Sequence, residues 1–418
     1  MAMIKKAVKG MKDITPQEMS LRNYVCGLIR ETYLSYGFTQ IETPCVEHIE
    51  NLSGKQGGEN EKLIFKILKR GNKLDLANAK SEADLCDSGL RYDLTVPLSR
   101  YYAEHASELP QPFKALQMGN VFRAEQPQRG RFRQFMQCDI DIFGEASNMA
   151  EIELILATTS LLGRLDFKDF NIRINDRRML KAMASYAGFA ESDFDAVFII
   201  LDKMDKIGIE GVKSELTESG FDGAAIDKYL KLFEELKTKS ASDALDYLTQ
   251  TLGEEATAPA ENLKEIVASV EAAKRGNFAM VFDPTLVRGM SYYTGTIFEA
   301  ELKEFGSSCA GGGRYDEMVG RFTGQNTPAC GFSIGFERII TILMEQGFEV
   351  PAAGERVALL VEKGLSPQEA FADAEKLRGE GKQVLVVRMA KNKKFQKENL
   401  AAQGYGEIKE YFKKQENA

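Results

Sequence analysis

"FRAEQPQRGRFRQFMQCDIDIFG", residues 122–144, places Arg123, Arg129, Arg131 and Arg133 within eleven positions. The chain around it is acidic: 54 Lys plus Arg face 62 Asp plus Glu, a formal net charge of -8 over 418 residues. Residues 114–144 read as two antiparallel strands joined by this arginine-rich loop. Taken as a strand, residues 131–142 alternate between two faces. Odd positions put Arg131, Arg133, Phe135, Gln137, Asp139 and Asp141 on one side, and even positions put Phe132, Gln134, Met136, Cys138, Ile140 and Ile142 on the other. The even face suits a core. The odd face runs from guanidinium groups through a ring and an amide to carboxylates. A solvated face with surface ion pairs would account for the charges alone, but their order points to a site. Arginines at one end suit phosphate, because the planar guanidinium binds two oxygens at once. Phe135 suits stacking on a base. Gln137 and Asp141 suit a small cationic or imide-bearing ligand.

Composition narrows the class. A chain of this length exceeds one ordinary core, so two or three domains are expected. With 44% hydrophobic and 28% charged residues it falls in the soluble globular range. No apolar run approaches the roughly 18 residues a membrane helix needs. "MAMIKKAVKGMKDITP" has no apolar stretch behind Lys5 and Lys6, so no secretory signal is expected. Six scattered cysteines make no CxxC, which points to reduced thiols in the cytoplasm and away from a disulfide framework or a cysteine zinc site. His48 and His105 are the only histidines. Chemistry therefore falls to carboxylates, arginines and tyrosines. The acidic balance does not exclude nucleic acid, since binding depends on local patches.

Along the chain, Thr15 suits a helix N-cap, Pro16 the first helical position and Glu18 a capping box. Leu21, Val25, Leu28, Ile29 and Tyr33 then recur at helical spacing up to Gly37. "FTQIETP" reads as a strand stopped by Pro44. Residues 150–163 read as a helix and "DFNIRIN" as a strand. Residues 181–274 form a mainly helical insertion, after which strands return in "FAMVFDPTLV" and "GTIFEAEL". "ACGFSIGFERIITILMEQGF" reads as strand, turn and helix. Beyond a linker at "EQGFEVPAAGER", residues 356–418 give a βαβα unit. That tail holds 13 Lys plus Arg and 9 Asp plus Glu, a charge of +4, which leaves -12 for the rest.

Three further segments carry candidate chemistry. "LVRGMSYYTGTIFE" adds Arg288, Tyr292 and Tyr293. A turn at Gly289 with packed tyrosines would explain the pair, but less well an arginine between Val287 and Gly289. "AGGGRYDEM" is no phosphate loop, because no Gly-Lys-Ser/Thr follows and no strand–GxGxxG–helix pattern is present. Its glycines suit close backbone approach to a ligand. "GFSIGFERI" places Arg338 near a helix start, where either a second phosphate-binding arginine or an ordinary surface arginine fits.

Together these segments resemble the class II aminoacyl-tRNA synthetases, and within them the histidyl-tRNA synthetase family. The helix and strand ending at Pro44 are similar to motif 1, a dimer element; "FRAEQPQRGRFRQF" to motif 2; "GFSIGFERI" to motif 3. "LRYDLT", "QCDID", "RGMSYYTG" and "GGGRYD" are similar to the histidine-specific pieces, and "RYDLT" and "QCDID" have the eukaryotic and archaeal style. The resemblance covers residues 1 to about 350 well and the tail in part.

What it implies is an α+β fold: an antiparallel sheet flanked by helices, a helical insertion and a small, truncated α/β C-terminal domain. The implied domains are a catalytic core in two parts, 1–180 and 275–350, an insertion at 181–274, and a short anticodon-binding-like unit at 356–418 whose closing strand and helix are missing or rebuilt. The implied activity joins ATP, with Mg2+ on its phosphates, to histidine, and charges the 3′ end of tRNA(His) in the cytoplasm, on a homodimer with no membrane or DNA partner. Arg123 and Arg288 are the implied catalytic residues. Asp93, Leu94, Thr95, Gln137, Asp141, Tyr292, Tyr293 and Tyr315 would join them around histidine. Glu125 and Phe135 would hold adenine, and Arg131, Arg133 and Arg338 the outer phosphates. Ser291 stands where the family usually shows Asp. The alternative is a non-catalytic paralogue, a histidine-sensing regulatory subunit of ATP phosphoribosyltransferase. The short tail favours that alternative; Arg123, Glu125, Arg288 and Arg338 favour the enzyme.

Overall fold

A computed structural model describes residues 3–53, 62–128, 130–288, 292–302, 307–351 and 354–413. Arg129 and Ser291 lie outside them. The chain divides into two compact units, Met1–Phe348 and Glu349–Ala418.

The helix Pro16–Ser35 starts where the sequence places it, with the Thr15 side chain accepting from the Glu18 backbone N–H at 3.5 Å. The expected capping box is replaced by a charge cluster. The Glu18 carboxylate lies 2.8 Å from Lys12 Nζ and 3.4 Å from Arg22. Leu21, Val25, Ile29 and Tyr33 form the buried stripe. Gly37, in the left-handed region, reverses the chain into β1 (Thr39–Ile41). Three short strands follow, β2 (Val46–His48), β3 (Lys66–Leu68) and β4 (Cys86–Leu90), and pair as a small antiparallel sheet in the order β2-β4-β3. The helix Thr95–His105 comes next.

β5 (Phe113–Phe122) and β6 (Gln134–Phe143) are the expected hairpin, antiparallel in continuous register from Phe113↔Phe143 to Phe122↔Gln134. Regular pairing begins at Gln134 and not at Arg131. Arg131 instead closes the tip in a bridge with Gln128, and the Arg133 N–H donates to Gly10 O at 2.7 Å. β7 (Phe170–Asp176) is joined to its parallel neighbour β8 (Phe278–Phe282) through six α-helices and a short 3-10 turn between Arg177 and Ala273. β9 (Thr296–Leu302), β10 (Ser307–Arg314) and β11 (Ala329–Ile334) complete a sheet that, among the described residues, has eight strands in the order β1-β5-β6-β11-β10-β9-β7-β8. Its middle, from β5 to β7, is antiparallel throughout. One face is covered by the helices Pro16–Ser35, Met149–Arg164 and Phe336–Glu345. There Cys138, Ile140 and Ile142 of β6 are essentially inaccessible.

The smaller unit has β12 (Arg356–Val361) at the centre of a parallel sheet, between β13 (Gln383–Arg388) and β14 (Glu407–Tyr411). Alternate β12 residues feed two separate cores. Val357 and Leu359 pack with Ala374 and Leu377 on one side, and Ala358 and Leu360 with Leu400 on the other. This corrects the sequence expectation of βαβα, because β14 supplies the closing strand that seemed missing. "GEIKEY" alternates polar and apolar residues too weakly to be read as a buried strand. Among the described residues no helix is long and apolar enough to cross a membrane. All six cysteines are free.

Candidate functional site

A cavity of about 480 Å³ opens between the β5–β6 hairpin, β10, β11 and the start of the helix Phe336–Glu345. Its volume falls in the range of small-molecule sites. Antiparallel pairing builds it: the odd residues of β6 from Phe135 onward face away from the covering helices, so Phe135, Gln137, Asp139 and Asp141 line the cavity as the alternation requires.

One set of lining residues is cationic. The Arg123 guanidinium lies over the rings of Tyr92 (4.2 Å) and Phe135 (5.1 Å), and its Nε donates to Tyr92 O at 3.2 Å. Two aromatic faces and a hydrogen bond fix the plane of the fork. Arg131 is half exposed and only loosely paired, 3.6 Å from Glu125. Arg338 donates to Ser308 O. Burial, and then the neighbouring Arg131 charge, depress the pKa of Arg338. Two neighbouring cations that raise each other's energy are relieved by an anion between them. Arg288 is in the left-handed region (φ 64), with its guanidinium laid against Gly311 and next to Tyr293 and Glu299.

A second set is acidic and buried. Asp93, Asp139 and Asp141 are each no more than 4% exposed. Asp93 Oδ1 accepts from the Val96 N–H at 3.1 Å and so caps the helix that presents Thr95. Asp141 Oδ1 accepts the Tyr315 hydroxyl at 2.5 Å. A Cβ on Gly331 would sit 2.0 Å from that oxygen, so only glycine fits opposite Asp141 on β11. Tyr292 packs edge-on against Tyr315 (5.9 Å) and close to Tyr293 (4.8 Å). Burial pushes the Asp141 carboxyl up to about 7, with Tyr315 opposing the shift and Asp93 adding to it. Asp139 is also held well above the usual carboxylate range, by burial and then by Asp141. Gln137 Oε1, Asp139 Oδ1, Asp141 Oδ2 and Arg288 Nε are buried without a hydrogen-bond partner in the protein. Buried polar atoms are rarely left unpaired unless a ligand completes them.

Of the residues singled out from sequence, Asp93, Thr95, Arg123, Glu125, Arg131, Phe135, Gln137, Asp141, Arg288, Tyr292, Tyr293, Tyr315 and Arg338 all line this cavity. Leu94 and Arg133 do not. Leu94 is in the core, and its carbonyl accepts from Gln117. Arg133 packs over Gly10 and donates to Glu125 O at 3.0 Å. The glycines of "AGGGRYD" lie in β10, and close approach there is made by protein groups, Arg288 at Gly311 and Gly331 O at Gly312. Sequence reasoning left Asp139 out of the site, although the same alternation that placed Asp141 places it. It gave no signal for Ser308, Ser333 or Glu337, which also line the cavity.

The comparisons with known proteins agree with one another. A family model described as histidyl-tRNA synthetase matches residues 10–339. A histidine–tRNA ligase of Leifsonia xyli subsp. xyli is 44% identical over 409 residues, 95% of this chain and 93% of its own. One of Porphyromonas gingivalis is 41% identical over 81% of this chain and 76% of its own. The crystal structure of histidyl-tRNA synthetase from Nostoc sp. PCC 7120 superposes with a TM-score of 0.78 at 30% identity, over 97% of this chain and 90% of that one. A structure described as an ATP phosphoribosyltransferase regulatory subunit/histidyl-tRNA synthetase from Bacillus halodurans C has a TM-score of 0.79 over 98% and 99% of the two chains; at 21% identity the likeness is one of fold. These relatives are bacterial, whereas "RYDLT" and "QCDID" had the style of other kingdoms.

Proposed function

The chain belongs to the histidyl-tRNA synthetase family, and from that premise we propose that it is a histidine–tRNA ligase, forming histidyl-adenylate from histidine and ATP and passing the histidyl group to the 3′ end of tRNA(His). The observation that carries the reading is one cavity lined by both four guanidinium groups and three buried carboxylates. A nucleoside triphosphate joined to a small amino acid with an ammonium and an imidazole N–H calls for both.

In this reading a carboxylate oxygen of histidine attacks the α-phosphorus in line, the bond to the bridging oxygen breaks, and pyrophosphate leaves. No proton moves in that step, so no general base is called for. Catalysis rests on alignment and on stabilising charge as it develops on the phosphoryl oxygens. Arg123, held flat by Tyr92 and Phe135, and Arg288, held over Gly311, are the cations for the α-phosphate. Arg131 and Arg338 take the outer phosphates, with Mg2+ arriving as part of that substrate. Phe135 and Glu125 take adenine. Asp93, Thr95 and Gln137 suit the α-ammonium. Asp141, oriented by Tyr315, suits an imidazole N–H, and a site with unpaired buried acceptors discriminates strongly against side chains lacking a donor. A cytoplasmic location fits the free thiols.

The test is ATP–pyrophosphate exchange on the purified chain. It should depend on histidine and on no other amino acid. Arg288→Ala should abolish exchange while calorimetry still detects histidine binding. Binding without exchange in the parent chain would transfer the reading to a histidine-sensing regulatory subunit.

A further inference from the structure

Gly311 on β10 and Glu299 on β9 are direct cross-strand partners, and so are Glu299 and Arg173 on β7. Directly opposed residues of an antiparallel pair project from the same face. Gly311 has no side chain, and the space it leaves is filled by Arg288. A Cβ there would lie 2.3 Å from Nη1, 2.5 Å from Cζ and 2.7 Å from Nη2, so the guanidinium lies flat on the strand. From that position Nη1 is 3.6 Å from Glu299 Oε1, with both side chains mostly buried. The other neighbour, Arg173, is engaged by Asp205 at 2.9 Å and by Asp283, which leaves the Glu299 carboxylate to Arg288. Arg288 itself is held at a φ of 64, a backbone conformation that non-glycine residues keep only where their surroundings impose it.

We propose that Glu299 is a positioning residue for Arg288: its carboxylate and the bare backbone of Gly311 form a cradle that sets the plane of the guanidinium before ATP arrives. The inference rests on the reading of Arg288 as the α-phosphate cation. Glu299 does not line the cavity. It acts by removing the freedom of a long side chain that must otherwise be ordered in the transition state.

The experiment is steady-state ATP–pyrophosphate exchange with the full chain carrying Glu299→Gln, Glu299→Asp, Gly311→Ala or Arg288→Ala. Glu299→Gln should lower kcat on the order of tenfold, with the KM for histidine and its calorimetric Kd unchanged. Glu299→Asp should recover part of the loss. Gly311→Ala should lower kcat without altering any charge, by lifting the guanidinium off the strand. Retained calorimetric binding of histidine reports that each variant is folded. Exchange within twofold of the parent in Glu299→Gln, alongside an inactive Arg288→Ala, would overturn the role of Glu299 and leave the family reading standing. Full exchange in Arg288→Ala would remove the premise itself.

Discussion

Asp139 and Asp141 stand two residues apart on one face of β6, both buried, with Asp93 and Arg123 close enough to influence them. Like charges so placed hold protons longer than an isolated carboxylate does. With Asp141 raised to about 7, its carboxyl is partly protonated at neutral pH. Two consequences follow with definite sign. The folded chain binds these protons more tightly than the unfolded chain, so the stability they confer is complete below about pH 4 and is lost as pH rises through 7. Productive binding in the proposed pocket needs Asp141 ionised, to accept from a neutral imidazole. Below about pH 6, where imidazole and Asp141 both carry protons, log KM for histidine should fall by about two per pH unit as pH rises, and by about one in Asp141→Asn. Equal slopes in the two proteins, measured by exchange, would take Asp141 out of the imidazole contact. At this scale the sequence was legible wherever a strand enforced alternation: Phe135, Gln137 and Asp141 follow from it. Arg133 was not, because the tip of the hairpin turns before regular pairing starts. No local pattern shows that its amide is bound by Gly10.

Between elements, the most telling contact is the pair Arg22–Glu337. Arg22, on the first helix, meets both carboxylate oxygens of Glu337 at 2.7 Å, and Glu337 Oε1 also accepts the Met136 N–H of β6 at 3.1 Å. The Arg22 guanidinium lies over the Phe336 ring at 4.9 Å. One buried ion pair thus ties the N-terminal helix, the cavity strand and the helix that presents Arg338. Removing one partner of such a pair leaves an uncompensated buried charge, at a cost of about 3–5 kcal/mol. Arg22→Ala should therefore lower the unfolding midpoint of the larger unit markedly. It should also raise the KM for ATP, because Arg338 follows Glu337 directly. Arg22→Lys restores the charge without the fork and should recover only part of the loss. Thermal unfolding and exchange on the same samples would separate these effects, and an unchanged midpoint in Arg22→Ala would show the pair to be dispensable. Helix, hairpin and antiparallel sheet could be anticipated because each is encoded by a short period and its stop signals. This contact spans 315 residues, and nothing in "SLRNYV" or "GFERI" alone announces it. The same limit applies to β14, whose place beside β12 is set by pairing across the unit.

For the whole molecule, the resemblance implies a homodimer formed through residues 16–44, and we propose that assembly here. The helix Pro16–Ser35 buries one stripe within its own chain, yet Leu34 remains 54% exposed and Met19 44% exposed. The preceding segment exposes Met3 and Ile4 almost fully and Val8 in large part. Exposed large apolar side chains suit an interaction site, and a two-fold axis is the commonest way for identical chains to cover one. The consequence reaches the chemistry, because the same helix carries Arg22 and so anchors Glu337 beside Arg338. Light scattering should return twice the chain mass of 46.6 kDa. Leu34→Glu sets a charge on the exposed side of the helix without touching the buried stripe. It should shift the mass toward one chain and reduce exchange with it. A monomeric mass for the parent protein would refute the assembly. A dimer that persists in Leu34→Glu would move the interface away from this end of the helix, while leaving Arg22 and the cavity as they are.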